Sequence, residues 1–103
     1  MGNNKDPLLN GGVPVAYKYS SFTLNNGADQ IQLVTPGGKL VDAIAYDDGV
    51  NWPDTPGVAA ALDAGSHDAT ANDSGSAWCD AMAPWTAGNP NLGSPGQHNA
   101  NCP

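Results

Sequence analysis

The sequence predicts an all-β fold, an antiparallel β-sandwich built from short strands. Three observations carry that expectation: apolar and polar residues alternate over short stretches, Gly, Pro and Asn punctuate the stretches, and no segment has the length and period of a stable helix. With 103 residues the chain has room for one domain at most.

Residues 1–12 (MGNNKDPLLNGG) show no period and read as a loop or disordered start, with the β domain spanning 13–103. Val13, Val15, Tyr17 and Tyr19 alternate strictly, which predicts a strand, and Pro14 places it at a sheet edge or a strand start. Phe22 to Leu24 predicts a further short strand, ended by the turn Asn25-Asn26-Gly27.

Gln30 to Val34 puts Ile31 and Leu33 on one face and Gln30 and Gln32 on the other. Pro36-Gly37-Gly38 is a turn, because Pro presets φ and Gly accepts positive φ. Leu40 to Tyr46 returns as a strand, so 30–46 predicts an antiparallel hairpin. Ala43 and Ala45 share one of its faces; Leu40, Ile44 and Tyr46 share the other.

Asp47 to Pro56 is a loop carrying Trp52. Gly57 to Leu62 reads as a strand or a single helical turn; six residues are too few for a stable helix, which favours the strand. Residues 63–76 are polar and predict a long loop, Ala77 to Ala83 predicts a last short strand around Trp78, and no element is expected after Pro84.

The apolar supply is thin. Leu, Ile, Val and Phe together number 16, below the roughly 20% at which high net charge makes disorder a competing expectation. Such a core calls for a staple or a partner. Cys79 and Cys102 would close a loop of 24 residues in a Gly-, Asn- and Pro-rich tail. Their pairing predicts an oxidising compartment; two free thiols are the alternative.

The formal charge is −7, from ten Asp and three Lys, with no Glu or Arg. Lys5, Lys18 and Lys39 stand apart, so nothing resembles the basic cluster that nucleic acid or an anionic membrane surface requires. No apolar run approaches the roughly 18 residues of a membrane span, and Met1 to Asn10 lacks the apolar stretch of a signal peptide. A piece excised from a longer exported protein fits the same observations.

From Phe22 onward the order of motifs resembles the bacterial lamin-tail family. It runs Phe22-Thr23-Leu24-Asn25, then Gly27-Ala28-Asp29 leading to Ile31 and Leu33, then Pro36-Gly37-Gly38-Lys39, then Val41-Asp42 with Tyr46. Trp52-Pro53, the Asp/Asn-rich 68–73, Ser76-Ala77-Trp78-Cys79, Gly93-Ser94-Pro95-Gly96 and Asn99 complete it. The likeness covers roughly 13–102 and rests on the ordered set. It implies an immunoglobulin-like β-sandwich and an accessory binding or positioning role in an exported or surface protein. The family's opening strands, with their Glu-bearing motifs, have no counterpart before residue 13. The expectation is therefore an incomplete sandwich, or one completed by a second copy as a homodimer.

Several residue sets invite a chemical reading. Ser66-His67-Asp68 has the composition of a hydrolytic triad, but three consecutive residues cannot form the relay, and a solvated loop is expected. His67, Cys79, His98 and Cys102 have zinc-binding chemistry without zinc-site spacing. Asp47, Asp48 and Asp54, and Asp63, Asp68 and Asp73, crowd two loops where calcium could bind, yet Asp also serves turns locally. Asp42, inside a strand, is expected to accept structural hydrogen bonds. Trp52 and Trp78 are expected in the core, and Trp85 is the tryptophan expected at the surface. With Tyr17, Tyr19 and Tyr46 the tryptophans supply most of the aromatic surface.

No catalytic residue and no required cofactor are assigned. The expected function is a non-catalytic interaction or structural module that binds a protein partner or a second copy, in an extracytoplasmic or secreted setting. The alternative is a carbohydrate- or calcium-dependent surface binder, which requires exposed coplanar aromatics or converging Asp oxygens.

Overall fold

Alternation plus a tight turn produces the first sheet of the computed structural model, which describes residues 1–103. Asp29–Val34 (β1) and Leu40–Tyr46 (β2) pair antiparallel, with Asp29 opposite Tyr46, Ile31 opposite Ile44 and Leu33 opposite Asp42. The turn closes by Gly38 N–H donating to Thr35 O (2.9 Å) and Thr35 N–H donating to Lys39 O (2.8 Å). Gly38 has φ 86°, a conformation that costs a residue with a Cβ. Val34 then pairs with Leu40, which leaves Val41 as the extra residue of a bulge next to the turn.

The second sheet is smaller. Ala60–Leu62 (β3) pairs antiparallel with Trp78–Asp80 (β4), Leu62 opposite Trp78 and Ala61 opposite Cys79. The 15 residues between them contain two 3-10 turns, Ala71–Asp73 and Gly75–Ala77. The protein is thus all-β, as two separate two-stranded sheets.

Each face of the second sheet has its own covering. Ala60, Leu62 and Trp78 share the face toward the hairpin, where they border clefts also lined by Ile31, Ile44, Tyr46 and Trp52. The Trp52 and Trp78 rings meet at 5.2 Å, tilted by 39°, and Trp52 is the one large side chain sealed from solvent. Trp78 donates Nε1–H to Asn72 O (2.9 Å), so the 3-10 turn fixes the ring. A Cβ on Gly75 would collide with Asn51 O and reach 3.0 Å from Trp52 Cδ1, so this close approach requires glycine.

On the other face, Cys79 is joined to Cys102 by a disulfide with Cα atoms 5.7 Å apart. The tail is pinned further along β3. Ala59 N–H donates to Leu92 O (2.9 Å), Asn99 Nδ2–H to Leu62 O (2.9 Å) and Cys102 N–H to Asp63 Oδ1 (2.8 Å). Even so, only Trp52, Ala81 and Gly93 are buried.

Five expectations need correction. Residues 13–19 form no strand; a single bridge joins Lys18 to Gly2, with Gly2 N–H donating to Tyr17 O (2.9 Å). Alternation without a neighbouring edge gives no ladder, and Pro14 withholds a donor. Phe22 to Leu24 is not a strand either, although it lies beside β1. The strand expected over 57–62 is confined to Ala60–Leu62, with an isolated bridge at Val58, and that over 77–83 to Trp78–Asp80. Trp85 is half-buried rather than exposed: its ring lies against Gly93 and its Nε1 points at Gly11.

With so little buried apolar surface, the crosslink carries much of the stability. The 23-residue separation of the cysteines corresponds to about 3.5 kcal/mol of chain-entropy stabilisation. Replacing both cysteines by serine is expected to lower the urea-unfolding free energy by about 3 kcal/mol. A loss below about 1 kcal/mol would contradict the role given to the staple.

Candidate interaction surface

One member of the first acidic set, Asp47, and two of the second, Asp63 and Asp68, are occupied with folding. Asp47 accepts the N–H groups of Val50 (3.1 Å), Asn51 (3.0 Å) and Trp52 (3.1 Å), plus Asn51 Nδ2–H (2.8 Å). One carboxylate therefore winds the loop that delivers Trp52 to the core. Asp63 accepts from Cys102 N–H and from Gly65 N–H (2.9 Å), and Asp68 from Thr70 N–H (3.0 Å) and Ala71 N–H (2.8 Å). Asp29 accepts from Asn25 N–H (3.0 Å) and Gln30 N–H (2.8 Å). Asp80 accepts from Thr55 Oγ1–H (2.6 Å).

At Asp29, Asp47, Asp63 and Asp68 the backbone donors stabilise the ionised form, so these carboxyls titrate below the ordinary range. The Asn51 N–H is the main cause at Asp47, the Cys102 N–H at Asp63, the Ala71 N–H at Asp68 and the Asn25 N–H at Asp29. No three His, Cys or Asp side chains converge as a metal cage. The four-residue zinc set is disassembled by chemistry, because Cys79 and Cys102 are oxidised to a disulfide and hold no thiolate. In Ser66-His67-Asp68, the Asp68 carboxylate faces the backbone at 70 and 71, and His67 is exposed.

Asp42 behaves as a structural acceptor: Asn72 donates Nδ2–H to its Oδ2 at 2.7 Å, tying β2 to the first 3-10 turn. Asp42 Oδ1 and Asn72 Oδ1 have no protein donor, beside a cleft lined by Ile31, Leu33, Leu62 and Trp78. Asn72 thus holds both Asp42 and, through its carbonyl, Trp78; in the sequence it stood out only as part of the Asp/Asn-rich 68–73 of the resemblance. Asn99 was legible only as part of the resemblance, and it bonds both Ser94 Oγ and Leu62 O. Among the rings, Tyr19 and Phe22 stack on each other at 4.2 Å, and Tyr46 donates Oη–H to Asn25 O (2.7 Å).

What remains without a covering is the hairpin. Leu33 is 61% exposed, Leu40 52% and Val34 50%, and Ile31 and Val41 are also exposed. The edge of β1 is free as well. Gln30 N–H is bonded to Asp29 Oδ1, so it points away from β2, and alternation directs Gln32 the same way. Phe22 to Leu24 lies across a cleft of about 260 Å³ from Asp29 to Gln32 and makes no backbone hydrogen bond to β1. This strap is anchored only at its base, through Asn25.

The hairpin is also electrically polar. No carboxylate occurs from Gln30 to Val41, and Lys39 projects at the turn. At the opposite end stand Asp29, Asp47 and Asp48, the last beside Gly27.

Depressed carboxyl pKa values fix the sign of the acid response. The unfolded chain binds protons first, so the stabilisation is complete above an ordinary carboxyl pKa of about 4 and is lost progressively as pH falls below it and through the lowered folded-state value. Asp47→Asn is expected to lower Tm at pH 6 and to shrink the further fall between pH 6 and pH 3, compared with the unaltered protein. Parallel Tm curves would contradict the assignment. A scan against protein-family models and searches of curated proteins and of solved structures found no match to this chain.

Proposed function

We propose that the chain is a non-catalytic interaction module, an immunoglobulin-like β-sandwich of lamin-tail type, whose β1–β2 hairpin docks on another polypeptide in an exported or surface setting. The observation that carries the reading is the hairpin itself. It leaves Leu33, Val34, Leu40 and Val41 outside the core and its strand edges, β1 among them, without backbone partners, while β3 of the second sheet is pinned by the tail. Exposed strand edges are sites of strand addition, and clustered exposed apolar side chains mark interaction surfaces.

The rest of the chain supports it. Asp47, Asp63 and Asp68 are engaged by backbone donors, and the motif residues Asp42, Trp78 and Asn99 hold loops to strands. The disulfide fits an oxidising compartment. No helix is long and apolar enough to cross a membrane.

A docking surface carries little of the folding free energy. Leu33→Thr and Leu40→Thr are therefore expected to change the unfolding free energy by about 0.5 kcal/mol or less each, within the range of surface substitutions. The same changes should reduce binding of an apolar dye to the native protein. A loss of about 2 kcal/mol or more at either site would place these residues in the core and sink the reading.

A further inference from the structure

We propose that the partner of the hairpin is a second copy of this chain, joined edge to edge through β1 in an antiparallel pair about a twofold axis near Ile31 and Gln32. The inference rests on the hairpin being the docking element, and it goes further by fixing the occupant and its orientation. The result is a continuous four-stranded sheet in the order β2, β1, β1 and β2 of the two copies.

The backbone supplies the first argument. Gln32 lies on the side of β1 that faces away from β2, and nothing in the chain bonds the strap to that edge. Gln30 N–H is already bonded to Asp29, so the open outward group is at Gln32, and pairing Gln32 with Gln32 of the second copy would satisfy both reciprocally, as an isologous interface requires. The side chains then continue across the joint. Ile31 and Leu33 of both copies extend the face turned toward the tryptophans, and Gln30 and Gln32 extend the other.

Charge selects the orientation. Two chains of formal charge −7 repel one another at long range, so an interface between them must avoid setting carboxylates together. The hairpin meets that condition in one arrangement. An antiparallel pair brings the Lys39 end of each copy beside the base of the other, where Asp29 and Asp48 lie. A parallel pair would set base against base and Lys39 against Lys39. The antiparallel contact is made twice, once at each end of the joint.

The strap Phe22 to Leu24 is the competitor for the same edge. It is tethered at Asn25 and otherwise held by the Tyr19–Phe22 stack, so it can turn outward about Asn25 as the second β1 enters the cleft.

The test is molar mass by light scattering on the full chain across a range of concentrations, at low and high salt. The mass is expected to rise from 10.5 kDa to twice that value, with high salt favouring the dimer because it screens the repulsion between two chains of charge −7. Gln32→Pro removes an outward N–H and is expected to stay monomeric with an unchanged circular dichroism spectrum. Lys39→Asp alters only an exposed turn side chain. Removing two symmetric charge contacts there is expected to weaken dimerisation about tenfold or more. A mass of 10.5 kDa at every concentration, or a dimer indifferent to either substitution, overturns the proposal. Those outcomes leave the docking role of the hairpin standing, because that role is judged separately by the stability of the Leu33 and Leu40 variants.

Discussion

The contact between Trp52 and Trp78 is the constraint on which this fold depends. A two-stranded sheet is at best marginal in water, and this chain has two of them with no strand in common. The tilted ring pair, 5.2 Å between centroids, stands between them and is the largest apolar mass in the interior. Everything around it fixes one ring or the other. Asp47 winds the loop that carries Trp52, Asn72 holds the Trp78 indole nitrogen, and Gly75 lets the 3-10 segment pass over Trp52. The disulfide then closes the far face of the sheet to which Trp78 belongs.

The composition makes sense in that light. Only 29 backbone–backbone hydrogen bonds are present, 10 of them inside regular elements, where a chain of this size built from longer strands would hold roughly twice as many. Side-chain carboxylates take up part of the difference. Aspartate is suited to that work, because its short side chain reaches an N–H two to five residues on with little rotamer freedom to lose. Asp47, Asp63 and Asp68 all use this reach, and a chain organised this way gains nothing from glutamate. The acidity that resembles a metal or substrate site in the bare sequence is largely the loop scaffold.

The hairpin was legible because two independent signals coincided, alternation on both arms and Pro36-Gly37-Gly38 between them. Alternation alone was a weaker guide. Val13 to Tyr19 alternates as cleanly as Gln30 to Val34, yet only the second has a partner strand at turn distance. Periodicity specifies faces, not neighbours. The pairing of Cys79 with Cys102 was anticipated from the poverty of the tail they close, and Trp52 from the shortage of other large core residues. Trp85 was misjudged because Pro and Gly around it suggested exposure, whereas those glycines are what let the ring approach the backbone at Gly11 and Gly93. The exposed edge of β1 was foreseen only as a general need for completion. Its location depends on the tail lying along β3 rather than β1, and no local pattern encodes that choice.

The account makes the outward edge of β1 the place where a partner strand is taken up. Amide hydrogen exchange read residue by residue at several protein concentrations addresses this directly. Ile31 and Leu33, whose N–H groups face β2, should be protected at every concentration. Gln32 should exchange freely in dilute protein and gain protection as concentration rises. Protection of Gln32 that does not change with concentration, whether high or absent, would contradict the account.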